Sequence, residues 1–358
     1  MKMVVALFNI NTQTIQNLDA ASRVGYVCVA VIKAWEYVQG LGEDFWKDTP
    51  GMRAIFLSPE YCFARSVPSP FGNHGFGQKR QMEEDYVKNT LRPLFGQLSD
   101  SFKNALIVPG TVAWRKSIMP ATGNRGDSPQ EIADHRLDKY TDRLMSTKDT
   151  NLFFRSNASD PGNYPFSYNT TPFPSAFKRP DDTRPGLPTL GDKILQLQTA
   201  HYIAKNTAHC FYNGDPVYNY NKIGDFYEVS EDDPDTINMP NRSTVSGTES
   251  GPGRFTVAGL DFGISICYDQ SLSVQDVAQW TITPLQKTAA PVDFHILLSA
   301  HIPPDLSAAN LKNGGYLLSC SSAKECNKVI HSTGGEIPRD HKVKIDGVHN
   351  LFLYKIDV

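Results

Sequence analysis

The 358-residue chain has no apolar run near the roughly 18 residues a helical membrane span needs, so no such span is expected. Nor does it have an excess of one charge. Lys and Arg number 35 against 38 Asp and Glu, a net charge of -3, and no basic stripe marks a nucleic-acid footprint. Its six cysteines, at positions 28, 62, 210, 267, 320 and 326, lack the close pairs of a zinc ribbon and lie mostly within apolar runs. Neither a metal cage nor a disulfide framework is expected, and reduced thiols fit a cytoplasmic compartment. The opening MKMVVALFNINTQ breaks at Asn9 and Asn11, too early for a secretory core, and reads as a first strand. There is no internal repeat and no low-complexity tract. What is present is 40% hydrophobic and 11% aromatic residues, enough to bury a sizeable core around a small-molecule or protein partner.

The most informative stretch is RFTVAGLDFGISICYDQSLS, from Arg254 to Ser273. Val257, Leu260, Phe262, Ile264 and Ile266 suit a buried strand, which Cys267 closes. Val274, Val277, Ala278 and Trp280 have spacings that could line one side of a short helix, so the expectation is a strand, a sharp turn and a helix. A thiol at such a turn is expected to be partly exposed, with free backbone N–H groups nearby to favour thiolate. The competing reading is a buried cysteine acting as a small hydrophobe.

Along the chain, Val4 to Ile10 reads as a strand, and the segment from Asn17 through Trp46 as a helix packed on a sheet. Ala54 to Leu57 is a short strand that Ser58-Pro59 stops, leaving Glu60 beyond its C-terminal end, where open α/β sheets place their chemistry. Lys79 to Lys103 reads as helix, kinked or divided at Pro93, and Ala105 to Trp114 as a strand. From about 115 to 192 the chain is proline-rich with little regular apolar pattern, and reads as a long insertion in a single domain spanning 1–358. Tyr202 to Tyr212 and Pro216 to Ile223 form a hairpin through Asn213-Gly214-Asp215, with Lys222 near the end of its second arm. Asp293 to Ser299, Gly315 to Cys320 and Leu351 to Val358 are further strands.

Glu60, Lys222 and Cys267 thus stand in equivalent places, each after a strand. The pattern resembles the nitrilase superfamily of carbon-nitrogen hydrolases, whose members carry Glu, Lys and Cys in that chain order. FLSPEYCF, PGTVAW, NGDPVYNYNK, GISICYDQ and DFHILLSAHIP carry the resemblance across nearly the whole chain. It implies an α/β fold, a four-layer α-β-β-α sandwich of two packed sheets flanked by helices, commonly paired as a homodimer. It also implies a hydrolase that cleaves a non-peptide C–N bond of a small amide or carbamoyl compound through a cysteine thioester, with no metal or organic cofactor. In that scheme Glu60 is the general base, Cys267 the nucleophile, and Lys222 with the backbone N–H of Tyr268 the oxyanion donors. Many members use a second glutamate after the lysine; Glu228 is the nearest candidate and Glu231 its rival. Tyr61 and His301 are candidate substrate contacts. A Cys–His protease dyad is the competing role for His301, but the C-G-[SA]-C-[WY] context of papain-like enzymes is absent. The chain departs from the family in having Asn221 rather than Arg before the lysine, and in the length of its insertion. Tyr268 and Asp269 resemble the amidase and carbamoylase branches; nitrile-cleaving relatives usually show Trp and Glu there. The alternative function is an acyl-transferring or catalytically silent member that binds a partner.

Overall fold

The computed structural model describes residues 1–12, 15, 18–47, 49, 51–67, 78–80, 82–118, 152–157, 160–165, 190–223, 235–237, 253–276 and 281–358. The chain begins with strand Lys2–Asn9, all but its first residue buried, because successive side chains point to opposite faces and both faces are covered. It lies between His349–Asp357, antiparallel, and Ala54–Leu57, parallel, and Ala105–Val108 continues the parallel set. Tyr202–Tyr212 then runs antiparallel to Ala105–Val108 and Thr111–Ser117, and carries Asp215–Asn221 as its hairpin partner.

A second sheet follows the order Arg254–Val257, Leu260–Ile266, Val292–Ser299, Leu311–Ser321, Lys328–His331, its three central strands parallel. The core lies between the two sheets. Met3, Val5, Leu57, Leu106 and Val108 from one meet Phe262, Ile264, Ile266, Ile296 and Leu318 from the other. The alternate residues Val4, Ala6 and Phe8 pack outward against helix Ala20–Gly40, through Val27, Ala30, Val31 and Ala34, and near Phe95 of helix Arg92–Asp100. Over the second sheet, the outer layer consists among the described residues of 3-10 turns such as Leu285–Thr288 and Leu306–Ala308. The architecture is the expected α/β sandwich of two packed sheets.

Four local expectations change. Lys79 to Lys103 is not one helix: two short strands, Gln78–Arg80 and Met82–Glu83, precede a helical run that begins at Glu84. Its π-turn Val87–Leu91 lies just before Pro93, which has no N–H with which to continue an α-helical ladder. Ala105 to Trp114 is two strands, split at Pro109-Gly110. Gly110 has φ 102°, and a Cβ there would lie 2.7 Å from both the Cys62 Cβ and the Pro59 carbonyl, so only glycine fits where this turn crosses the Glu60 segment. The stretch read as an irregular insertion contains strands Leu152–Asn157 and Asp160–Pro165, and helix Leu190–Thr199 runs across its expected end. Finally, the helix expected after Cys267 is a 3-10 turn, Cys267–Ser271, followed by strand Leu272–Asp276. That strand pairs with Thr281–Pro284 on one side and Leu152–Asn157 on the other, and the available partners override a weak helical spacing. Residues 277–280 lie outside the described set.

Candidate active site

Strand direction decides where the three candidate side chains emerge. Asp215–Asn221 is antiparallel to Tyr202–Tyr212, which is antiparallel to Ala105–Val108, so the hairpin's second arm runs with Ala54–Leu57. Lys222 and Glu60 therefore leave the same edge of the larger sheet. The second sheet presents its C-terminal edge beside them. The Cys320 thiol donates to the Leu57 carbonyl at 3.3 Å, and Asn9 Nδ2 donates to the Ser321 and Ser322 carbonyls at 2.9 Å each. Cys267, at the end of Leu260–Ile266, completes the constellation.

Glu60 and Lys222 form a buried ion pair, Nζ to Oε1 at 2.8 Å, with side chains 0% and 3% exposed respectively. Asn206 Nδ2 donates to the same oxygen at 3.0 Å, while its backbone carbonyl accepts from the Lys222 N–H at 2.8 Å. One residue thus fixes both members of the pair. The Glu60 side chain is buried, and beyond the ion pair its charge is also felt by the Cys267 thiol.

Cys267 has φ 52°, a left-handed conformation that costs a non-glycine residue about 1–3 kcal/mol and is held only where the surroundings over-determine it. Tyr61, next to Glu60, has φ 60°. The partly exposed, acidified thiol expected from the sequence is corrected on both points. Cys267 is buried, and burial followed by the Glu60 charge pushes its thiol well above the ordinary range. The Lys222 ammonium and the Ala300 backbone N–H act the other way, and a hydrogen bond with Glu60 favours the protonated form. The resting group is therefore a neutral thiol beside a carboxylate able to take its proton.

Of the remaining candidates, Tyr61 places its ring centroid 5.6 Å from Lys222 Nζ, and its N–H donates to Thr111 Oγ1 at 2.9 Å. The backbone of Tyr268 lies in the first positions of the 3-10 turn, whose leading N–H groups have no acceptor within the turn. His301 is exposed, one residue beyond Ala300. Glu228 and Glu231 lie outside the described residues.

Three supporting residues were not anticipated. Asn206 is described above. Arg23, 1% exposed, crosses from helix Ala20–Gly40 to donate to the Cys62 and Ala64 carbonyls just after Glu60, and to the Leu18 carbonyl at 3.1 Å. Asp269 accepts from the Ile223 N–H and the Tyr220 hydroxyl. The sequence signal for Arg23 was a charge at a position of the helix that faces the sheet. Asn221 accepts from the Thr207 hydroxyl at 2.7 Å and so secures the end of the lysine arm.

No protein-family profile and no curated protein matches the chain. Among solved structures, it is similar to an amidase from Nesterenkonia sp., 9% identical over 99% of this chain and 90% of that one, TM-score 0.41. It is also similar to a variant of the Nesterenkonia AN1 amidase of the nitrilase superfamily, 12% identical over 98% and 90%, TM-score 0.38. A third is a CN-hydrolase superfamily protein from Xanthomonas campestris, 10% identical over 100% and 91%, TM-score 0.39. Likeness at that level transfers no residue role, so the roles of Glu60, Lys222 and Cys267 rest on their geometry in this chain.

Proposed function

We propose that this chain is a nitrilase-superfamily hydrolase that cleaves the C–N bond of a small amide or carbamoyl compound through a thioester on Cys267. The observation that carries the reading is the buried Glu60–Lys222 pair, 2.8 Å apart, beside a cysteine held at φ 52°. Glu60 takes the thiol proton as sulfur attacks the carbonyl carbon. Lys222 and the Tyr268 N–H stabilise the oxyanion, donors whose individual loss costs about a hundred- to thousandfold in other hydrolases. Collapse of the adduct breaks the C–N bond, Glu60 returns the proton to the leaving amine, and a thioester remains. Water, deprotonated by the same glutamate, then releases the acid and regenerates the thiol. The reading includes pairing of two copies through the helical face, where Val29 and Ile32 are exposed.

The test is a screen of primary amides, ureido acids and nitriles for ammonia release, with Cys267→Ala as control and intact-mass detection of an acyl adduct. Ammonia release that survives Cys267→Ala refutes the assignment. An adduct that forms and is discharged only to an added amine identifies an acyl transferase instead.

A further inference from the structure

The Asp269 carboxylate is fully buried, two residues after Cys267 in the same 3-10 turn. Its oxygens accept from the Ile223 N–H at 3.2 and 3.0 Å, and Oδ2 also accepts from the Tyr220 hydroxyl at 2.8 Å. These donors lie on either side of Lys222 in sequence. The turn that carries the nucleophile therefore also grips the chain that carries the lysine, across the boundary between the two sheets. We propose that Asp269 is a positioning residue of this site, which sets the place of the Lys222 ammonium against Glu60 and Cys267 by holding the backbone just after the lysine, at Ile223, and the Tyr220 hydroxyl two residues before it.

This inference rests on the Glu60–Lys222–Cys267 reading, but it can be tested on the thiol alone. The titratable group bonded to Asp269 is Tyr220, on which Lys222 and Tyr218 also act; Glu60 and Lys222 act on Cys267, and Arg254 lies within electrostatic reach of both tyrosines. Two roles for Asp269 give opposite signs. If it acted only as a nearby negative charge, Asp269→Asn would remove an anion and ease ionisation of Cys267, moving its reactivity to lower pH. If it holds Lys222 in place, the same change releases the cation that favours the thiolate, and reactivity moves to higher pH.

The experiment measures the rate of Cys267 alkylation by iodoacetamide as a function of pH, read by intact mass on the full chain, for the parent, Asp269→Asn and Tyr220→Phe. Asp269→Asn is expected to shift the profile upward by about one pH unit, and to lower kcat at least about tenfold while KM stays within about threefold. Tyr220→Phe keeps the charge and removes one of the grips, so it should shift the profile in the same direction by less. It also carries the test if Asp269→Asn does not fold. An unshifted or downward-shifted profile in the folded variants overturns the proposal. Absence of amide turnover in the parent, with the upward shift intact, would instead remove the hydrolase reading and leave the positioning role standing.

Discussion

Removing the charge of Glu60 should act on rate and on stability through the same atom. Its Oε1 takes the Lys222 ammonium at 2.8 Å and Asn206 Nδ2 at 3.0 Å, with the side chains of the ion pair almost wholly out of water. Glu60→Gln keeps the shape but deletes the base, a loss of about a hundred- to ten-thousandfold in turnover. It also leaves the ammonium buried without its anion, which costs about 3–5 kcal/mol, a large part of the ~5–15 kcal/mol that holds a typical protein folded. Lys222→Met strands the carboxylate in the same way. The double variant removes both charges and should be more stable than the sum of the single losses implies, by about 3 kcal/mol of coupling. Urea unfolding of the four proteins at pH 7.5 measures that term, and ammonia release by the folded fraction measures the rate. Additive stabilities, with coupling under about 0.5 kcal/mol, would refute the buried pair. Turnover within tenfold of the parent in Glu60→Gln would refute its role as base.

Cys267→Ala should abolish turnover with little change in stability, and Cys267→Gly should be at least as stable as the alanine variant, because glycine relieves a backbone at φ 52°; thermal melting of the pair decides this. Stability should fall in mild acid. Burial holds His209 down to about 4 and His295 down to about 3, so each stays neutral in the folded state while the unfolded chain protonates below pH 6.5. The stability they contribute is complete above pH 6.5 and lost as pH falls toward those values, about 4 kcal/mol for the two by pH 5, and equal unfolding free energies at pH 7 and pH 5 would contradict it. The insertion should govern which substrates are accepted, since Leu152–Asn157 pairs with the strand leaving the Cys267 turn. Replacing Gly126 to Pro185 by a Gly-Ser linker should alter the selectivity between small and large amides in a variant that still folds, and an unchanged ratio would reject this role.

The elements legible in the sequence were those whose pattern and partners are local. The Asn213-Gly214 hairpin is signalled by its turn residues, which take φ 54° and 96°, and Ala54–Leu57 ends where Pro59 requires. Glu60, Lys222 and Cys267 stand out as candidates in the sequence because each follows a strand, and strand ends are the readable part of such a sheet. What escaped depends on partners far along the chain. Leu272–Asp276 is a strand between a near partner, Thr281–Pro284, and a distant one, Leu152–Asn157, and the second pairing is one that no window of the sequence displays. Cys267 was expected at a turn and is at one, but its neutral thiol follows from desolvation and a carboxylate more than two hundred residues away in sequence. Arg23 shows in the sequence only as a charge on the sheet-facing side of a helix and Asp269 only as a residue near the cysteine, because the groups each one holds lie on other elements.

The candidate reacting groups come from different sheets, Glu60 and Lys222 from one and Cys267 from the other. Among the described residues no main-chain ladder joins the two sheets; apart from the Asp269 contacts, the side chains packed between the sheets act as the spacer. Leu57, Ile266 and Cys320 lie in that layer near the site, with the Cys320 thiol on the Leu57 carbonyl at 3.3 Å. A methyl group added or removed there shifts one sheet against the other by a fraction of an ångström, a displacement that a packed interior tolerates better than a proton transfer does. The interior of this protein is therefore also its gauge block, and drift in its core composition should register as lost alignment at Cys267 before it registers as lost fold.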